Sequence, residues 1–433
     1  MLAGAQQALP FLQEGDWLRV RALLRTGYRY SLSVVGPVTV SAAHFIASLI
    51  FLRLLQADEF GQFSFLLIIV PFCLGAAGAL LGAPASLTRG KDEATAAEEI
   101  ATLHKASLII SGVAGLVVAA LMFSTHAGAG EAALFGLYGV GATLRGFARS
   151  LSNVHAKLKR VAASDITYAV LLVSGLAILI AFGRLTMFHA AAVFVLSVIV
   201  SFLPFGPAYA RELAVAVKTR NLKRYLPMWR DVTRWSLLGV VLTELTVNAH
   251  AYFVTFISGP KAFGLLALGA LFMRPASLVL SALPDIDQPV MTRHLAHGDV
   301  KGAVRVVNEF RTASGAVLIG TIALSVVLVT WFPHLFLKKG YDETDVLAVL
   351  ALWIAITIAR VIRTPEAVFL QATGSYSALA RVSAWSSVTS LVVTFVLLCT
   401  LGPIASLGGV FAGEIAIMVG IFPLARAWRR QHA

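Results

Sequence analysis

The chain alternates long apolar runs with short polar breaks, and most of the breaks are basic. The runs fall at about residues 31–54, 63–85, 103–124, 131–150, 165–183, 188–210, 235–257, 263–284, 312–332, 345–363, 382–401 and 404–425. Each supplies roughly the 20 residues that a 30 Å hydrocarbon layer requires of a helix. They are too long and too uniformly apolar for barrel strands, which alternate over about ten residues. Backbone groups in lipid have no water to bond, so spanning segments of this kind pair them internally as helices. The pattern predicts an all-α integral membrane protein of about twelve spans. Pro37, Pro71, Pro204, Pro207 and Pro275 fall in or beside these runs and predict kinks.

Charge distribution supports the same reading. Only 13% of the 433 residues are charged and 58% are hydrophobic, far from the balance of a water-soluble domain. With the N-terminus placed in the cytoplasm, 29 of the 35 Lys and Arg fall in one set of loops and at the termini, and 5 in the other. These counts include the basic residues at run ends; the remaining one, Arg274, lies well inside a run. Such asymmetry predicts that both termini are cytoplasmic. It also explains the +13 net charge as orientation and phospholipid contact rather than nucleic-acid binding. Residues 1–10 lack the charged start and apolar core of a cleavable leader. The stretch Trp17 to Tyr28 mixes apolar residues with Arg19, Arg21 and Arg25, as a basic amphipathic helix on the inner membrane surface would.

The two halves repeat. Arg29-Tyr30-Ser31-Leu32 precedes the first run and Arg234-Trp235-Ser236-Leu237 the seventh. Ala43-His44 matches Ala249-His250, Glu59-Phe60-Gly61 matches Ala262-Phe263-Gly264, and Leu87-Thr88-Arg89 matches Met291-Thr292-Arg293. Arg145 and Arg149 close the fourth run as Arg360 and Arg363 close the tenth. Several short matches in order, at a nearly constant offset, indicate an internal duplication. An even number of spans per repeat makes the halves parallel, related by an axis along the membrane normal. The expected organisation is an amphipathic segment 1–30, a six-helix bundle 31–210, a basic linker 211–234, a second six-helix bundle 235–425 and a basic tail 426–433.

Candidate functional groups are the few ionisable residues inside spans, since charge there is expensive and tends to serve transport. They are His44, Glu244, His250, Arg274 and Glu414. Arg274 needs an anionic partner or a wet cavity, and its planar fork suits phosphate oxygens. An internal ion pair with Glu244 is the alternative. Glu244 and Asn248, four residues apart, share a helix face, with the Thr243 and Thr246 hydroxyls nearby. The candidate substrate contacts are Arg274, Glu244, Asn248, His44, His250, Arg145 and Arg360; Glu244 and Glu414 are candidate coupling carboxylates. The histidines could relay a proton or simply pack. Asp285-Ile286-Asp287 reads as a span end and loop rather than a metal motif. Cys73 and Cys399 read as buried apolar residues. No phosphate loop, dinucleotide fingerprint or His-Glu-x-x-His stands in the sequence, so no catalytic residue, metal or cofactor is expected.

The segment Arg53-Leu54-Leu55-Gln56-Ala57-Asp58-Glu59-Phe60-Gly61-Gln62-Phe63 resembles the connection between the first two spans of polysaccharide-transport flippases, with Gln56 where glycine is usual. These belong to the multidrug/oligosaccharidyl-lipid/polysaccharide (MOP) exporter superfamily. The resemblance implies a V-shaped pair of bundles around a cationic cavity in a bacterial inner membrane. It implies movement of an undecaprenyl-diphosphate-linked oligosaccharide to the periplasmic leaflet, alongside polysaccharide-assembly proteins. Similar flippases use cavity arginines on the diphosphate, which points to Arg274. The alternatives are a drug or metabolite cation antiporter of the same superfamily, a membrane-embedded polysaccharide polymerase or transferase, and a non-transporting scaffold.

Overall fold

The computed structural model describes residues 35–88, 92–218, 222–332 and 341–432. The amphipathic segment expected over 1–30, the repeat members Arg29 to Leu32 and the basic Arg89 lie outside them. Among the described residues every regular element is a helix. We number twelve: α1 Val35–Leu54 and α2 Ala57–Leu87; α3 Glu93–Ser124, α4 Ala129–Val154, α5 Leu158–Ala181 and α6 Met187–Val200; α7 Arg234–Ser258; α8 in two segments, Pro260–Phe272 and Arg274–Ala296; α9 Val300–Trp331, α10 Glu343–Ala372, α11 Tyr376–Leu401 and α12 Leu407–His432. Ten of the helices in the described residues are long and apolar enough to cross a membrane, and the bent α8 pair is an eleventh. The other element, α4, is a 26-residue helix that falls short of that apolar standard, because glycines and the pair Arg145 and Arg149 dilute its hydropathy.

Large apolar side chains point outward along these helices. Leu116 on α3 and Ile319 on α9 are 72% and 70% exposed, as expected of residues that meet lipid rather than a protein core. Inside, Phe51, Phe63, Phe135 and Phe194 are fully buried among α1, α2, α4 and α6. The Phe51 and Phe63 rings meet edge to face at 4.3 Å.

Two departures from the sequence reading have physical causes. First, α8 does not end at Asp285. Its second segment continues through Pro284 and Pro289 to Ala296, so the Asp285-Ile286-Asp287 stretch lies within a helix rather than at a span end. Asp299, following that helix, caps α9: its carboxylate accepts the Gly302 N–H at 2.8 Å and contacts His294 Nδ1 at 2.9 Å. These hydrogen bonds, the Gly302 one foremost, hold its carboxyl below the ordinary range. Second, α5 begins at Leu158, so Asp165 sits two turns inside the helix rather than at its start. The kink expected at Pro275 is present: α8 is broken by 64° between Phe272 and Arg274. Pro275 at the start of the second segment has no N–H to donate, which favours a helix beginning there over a helix passing through. The Pro71 expectation is met differently: α2 runs through Pro71 and loosens into a π turn at Gly78–Gly82.

The first six helices meet the last six mainly where α2 packs on α7 and on the first segment of α8. Gly259, at φ +88°, turns α7 sharply into Pro260, which opens α8. This brings the Phe263-Gly264 pair against its repeat partner Phe60-Gly61. A Cβ on Gly61 would lie 1.9 Å from the Pro260 carbonyl oxygen, and one on Gly264 would lie 3.1 Å from Gly61 Cα. Tyr341 covers the contact, its hydroxyl 3.4 Å from the Lys261 carbonyl and 3.5 Å from the Ala57 carbonyl. The contact lies at the end of the molecule opposite the basic loops.

Candidate functional site

On the basic side of the Gly61–Gly264 contact is a cavity of about 420 Å³ between the first and last six helices. Helices α1, α2, α7, α8 and α10 all contribute to its wall. The wall is apolar near the contact, with Phe60 and Phe263, and becomes polar away from it, with Ser41, Ser48, Ser277 and Asn248. A wet, hydroxyl-lined chamber is the environment that makes an intramembrane charge tolerable.

Arg274 lines this chamber at the break in α8. It is half-buried and has no ion-pair or hydrogen-bond partner among the described residues. It is also the first residue of the second α8 segment, so its guanidinium stands beside a helix N-terminus, where unsatisfied N–H groups carry partial positive charge. The expected alternative, an ion pair of Arg274 with Glu244, is absent. Glu244 instead accepts from Asn248 Nδ2 at 3.0 Å and from Tyr252 Oη at 2.8 Å, one helix face satisfying its own acid. Asn248 lines the chamber, whereas the Glu244 carboxylate is held by these neighbours. Thr246 turns to α11, where its hydroxyl bonds that of Ser387.

Arg360 and His250 line the same chamber. His250 packs edge-on to Trp353, whose Nε1 donates to the Leu266 carbonyl at 2.8 Å. Arg360 is paired: its Nε donates to Glu414 Oε1 at 2.7 Å, and Arg363 bonds the other oxygen of the same carboxylate. Arg360 Nη2 is buried without a hydrogen-bond partner. Glu414 is therefore buried between two arginines rather than facing the chamber unpaired. The chamber thus holds one unpaired guanidinium and a second that is half-satisfied.

His44 and Arg145 lie elsewhere, in a smaller space of about 70 Å³ enclosed by α1, α2, α4, α5 and α6. His44 Nε2 and Tyr168 Oη share a hydrogen bond at 2.9 Å, and Tyr168 Oη shares another with Tyr138 Oη at 2.9 Å. Arg145 and Arg149 both bond the fully buried Asp165, Arg149 at 2.9 Å, and Arg145 Nε donates to Ser164 Oγ at 3.0 Å. Helix α1 passes this carboxylate closely; a Cβ on Gly36 would lie 2.3 Å from Asp165 Oδ2. The structure therefore unites Arg274, Asn248, His250 and Arg360 around one chamber, and puts His44 with Arg145 and Glu414 with Arg360 in internal polar networks. Asp165, Tyr138 and Tyr168 escaped the sequence reading; the signal was an acid and a tyrosine three residues apart on a spanning helix. No group of three or more His, Cys, Asp or Glu among the described residues is placed to hold a metal ion.

Removing one member of a buried ion cluster leaves the others desolvated and uncompensated. Asp165→Ala should therefore destabilise the protein by about 3–5 kcal/mol. The check is a thermal melt of detergent-purified protein, where a large drop is expected for Asp165→Ala and an unchanged midpoint for Arg274→Ala, which breaks no pair.

No protein-family model matches the chain, and no curated protein matches its sequence. Solved structures do match its fold. A multidrug resistance MATE family transporter of the MOP superfamily, in an inward-facing conformation, is 14% identical, with 90% of this chain and 95% of that chain covered at a TM-score of 0.67. The lipid II flippase MurJ, in an inward closed conformation, is 13% identical, with 92% and 87% covered, also at 0.67. A MOP superfamily transporter from Pyrococcus furiosus, whose reversed binding-pocket polarity suggests a different function, is 15% identical, with 94% and 95% covered at 0.59. The chain has the fold of these membrane transporters.

Proposed function

We propose that this protein is a flippase for an undecaprenyl-diphosphate-linked oligosaccharide, working by alternating access between its two six-helix halves (31–210 and 235–425). One observation carries the reading: Arg274 is an unpaired cation in a polar chamber shared by both halves, beside a helix N-terminus. A diphosphate supplies the missing counter-charge, and a guanidinium can grip it through two parallel N–H···O bonds. Arg360 adds a second cation to the same wall, its charge shared with Glu414. The head group would travel in the chamber while the prenyl tail stays in lipid, which spares the sugar hydroxyls the several kcal/mol each that unpaired polar groups lose in hydrocarbon. The protein makes and breaks no covalent bond in this scheme. The basic loops set its orientation, with the N- and C-termini in the cytoplasm of a bacterial inner membrane and polysaccharide-assembly proteins receiving the product.

The second reading is export of a cationic drug or metabolite, favoured by the equal likeness to the multidrug transporter. The two readings differ in the sign of the cargo. In proteoliposomes the flippase should move a fluorescent prenyl-diphosphate sugar across the bilayer and leave a lipophilic cation where it is. Transport of the cation with no movement of the diphosphate would establish the antiporter instead.

A further inference from the structure

We infer that the basic end of the first six helices holds a pocket for an acidic phospholipid, separate from the central chamber. The pocket measures about 510 Å³ and lies between the start of α3, the end of α4, the start of α5 and the helix Gly206–Lys218 that follows α6. Its floor is apolar, with Ile100, Leu151 and Phe205. Its rim is basic, with Lys157, Arg160 and Arg211 against the one acid, Glu212. Glu212 is exposed and reaches to 3.3 Å from His104 Nε2. Arg160 donates to the Phe205 carbonyl at 3.0 Å, while Lys157 and Arg211 have no ion-pair partner among the described residues. Tyr209 and His104, only 9% and 2% exposed, back the pocket.

The chemistry of the two surfaces selects the occupant. A cationic rim at the end of the spans attracts an anionic head group, and basic pockets between spans bind such heads. A bare phosphate would leave the apolar floor exposed to water. An acidic phospholipid satisfies both, its phosphate at the rim and the top of an acyl chain on Ile100, Leu151 and Phe205.

The internal repeat provides an independent observation. Between α9, α10 and α12, which correspond to α3, α4 and α6, is a pocket of about 370 Å³ with Arg311, Glu366, Arg426 and Arg429 over Ile362 and Phe422. Glu366 holds Arg311 at 2.7 Å and Arg429 at 2.5 Å, and Arg426 has no ion-pair partner among the described residues. One acid, at least one unpaired cation and an apolar floor recur in both halves, although the acid stands on a different helix in each. The same construction arising twice argues that the site is a property of the duplicated unit.

The test is native mass spectrometry of the full-length protein released from detergent after incubation with phosphatidylglycerol, phosphatidylcholine or glycerol phosphate. The wild type should retain two phosphatidylglycerol molecules, with a preference over phosphatidylcholine of about tenfold or more. Two variants should each fall to one: the triple exchange Lys157→Gln, Arg160→Gln, Arg211→Gln, which removes the charge, and Ala101→Phe, which fills the pocket and leaves the charge in place. Retention of two lipids in both variants would overturn the site. Displacement of the lipid by millimolar glycerol phosphate would show a receptor for free anions and overturn the lipid assignment.

Discussion

Gly61→Leu is expected to abolish transport while leaving each set of six helices folded. The effect is steric. Even a methyl group on Gly61 would come within 1.9 Å of the Pro260 carbonyl oxygen, far inside van der Waals contact, and the obstacle is backbone rather than a movable side chain. The wedge falls where α2 of the first six helices meets α8 of the last six, so the strain is relieved by separating them. Alternating access requires a seal on one side of the cargo while the other is open, and this variant removes the seal at the end opposite the basic loops. Two measurements check it. Reconstituted transport should fall to background. A Ser64→Cys probe, buried beside the chamber in the parent protein, should become reactive to a membrane-impermeant maleimide added from the weakly charged side. Normal transport with an unreactive probe would show that the glycine contact is not a seal.

Arg274→Gln should lower transport of the diphosphate lipid by roughly 100-fold. A guanidinium gripping phosphate oxygens through two charge-assisted bonds contributes about 3 kcal/mol, and each 1.4 kcal/mol is a factor of ten. Glutamine retains polarity and much of the volume, so the loss isolates the charge. Arg274→Lys should recover part of the rate, because a lysine keeps the charge and loses the planar fork. Arg274 has no partner to abandon, so the melting midpoint should stay at the parent value, in contrast with Asp165→Ala. Initial rates in proteoliposomes of matched protein content give the comparison. Equal rates for the parent and Arg274→Gln would remove the residue from the path of the cargo.

The spans and their bias of charge are legible in the chain because hydrocarbon imposes one rule on every residue that meets it. Apolar runs and basic breaks state that rule directly. Pro275 and the out-of-place Arg274 marked the broken helix and its cation, since each is costly in an unbroken span. The ion clusters were not legible. Asp165 stands one turn from Tyr168 at what looks like the edge of a run, and nothing local says that it meets Arg145 and Arg149 from the preceding helix. Glu414 reads as a free intramembrane acid until α12 packs on α10 and delivers it to Arg360 and Arg363. Glu244 reads as a partner for Arg274 until its own helix supplies Asn248 and Tyr252. Pairings between helices depend on rotation about each axis, which one sequence does not specify. The Phe60-Gly61 and Phe263-Gly264 repeat was visible as a pattern, but its use as a contact depends on the two copies facing each other.

The most direct test of the account is whether a diphosphate lipid shields the central chamber through Arg274. The probe is Ser277→Cys, one turn along α8 from the arginine, in a protein whose Cys73 and Cys399 have been replaced by serine. The rate of its modification by an impermeant maleimide is followed with and without a short-chain prenyl diphosphate. The account predicts that the diphosphate slows labelling, that a neutral prenyl alcohol does not, and that Arg274→Gln abolishes the protection. Labelling that is indifferent to the diphosphate, or protection that survives Arg274→Gln unchanged, would contradict it.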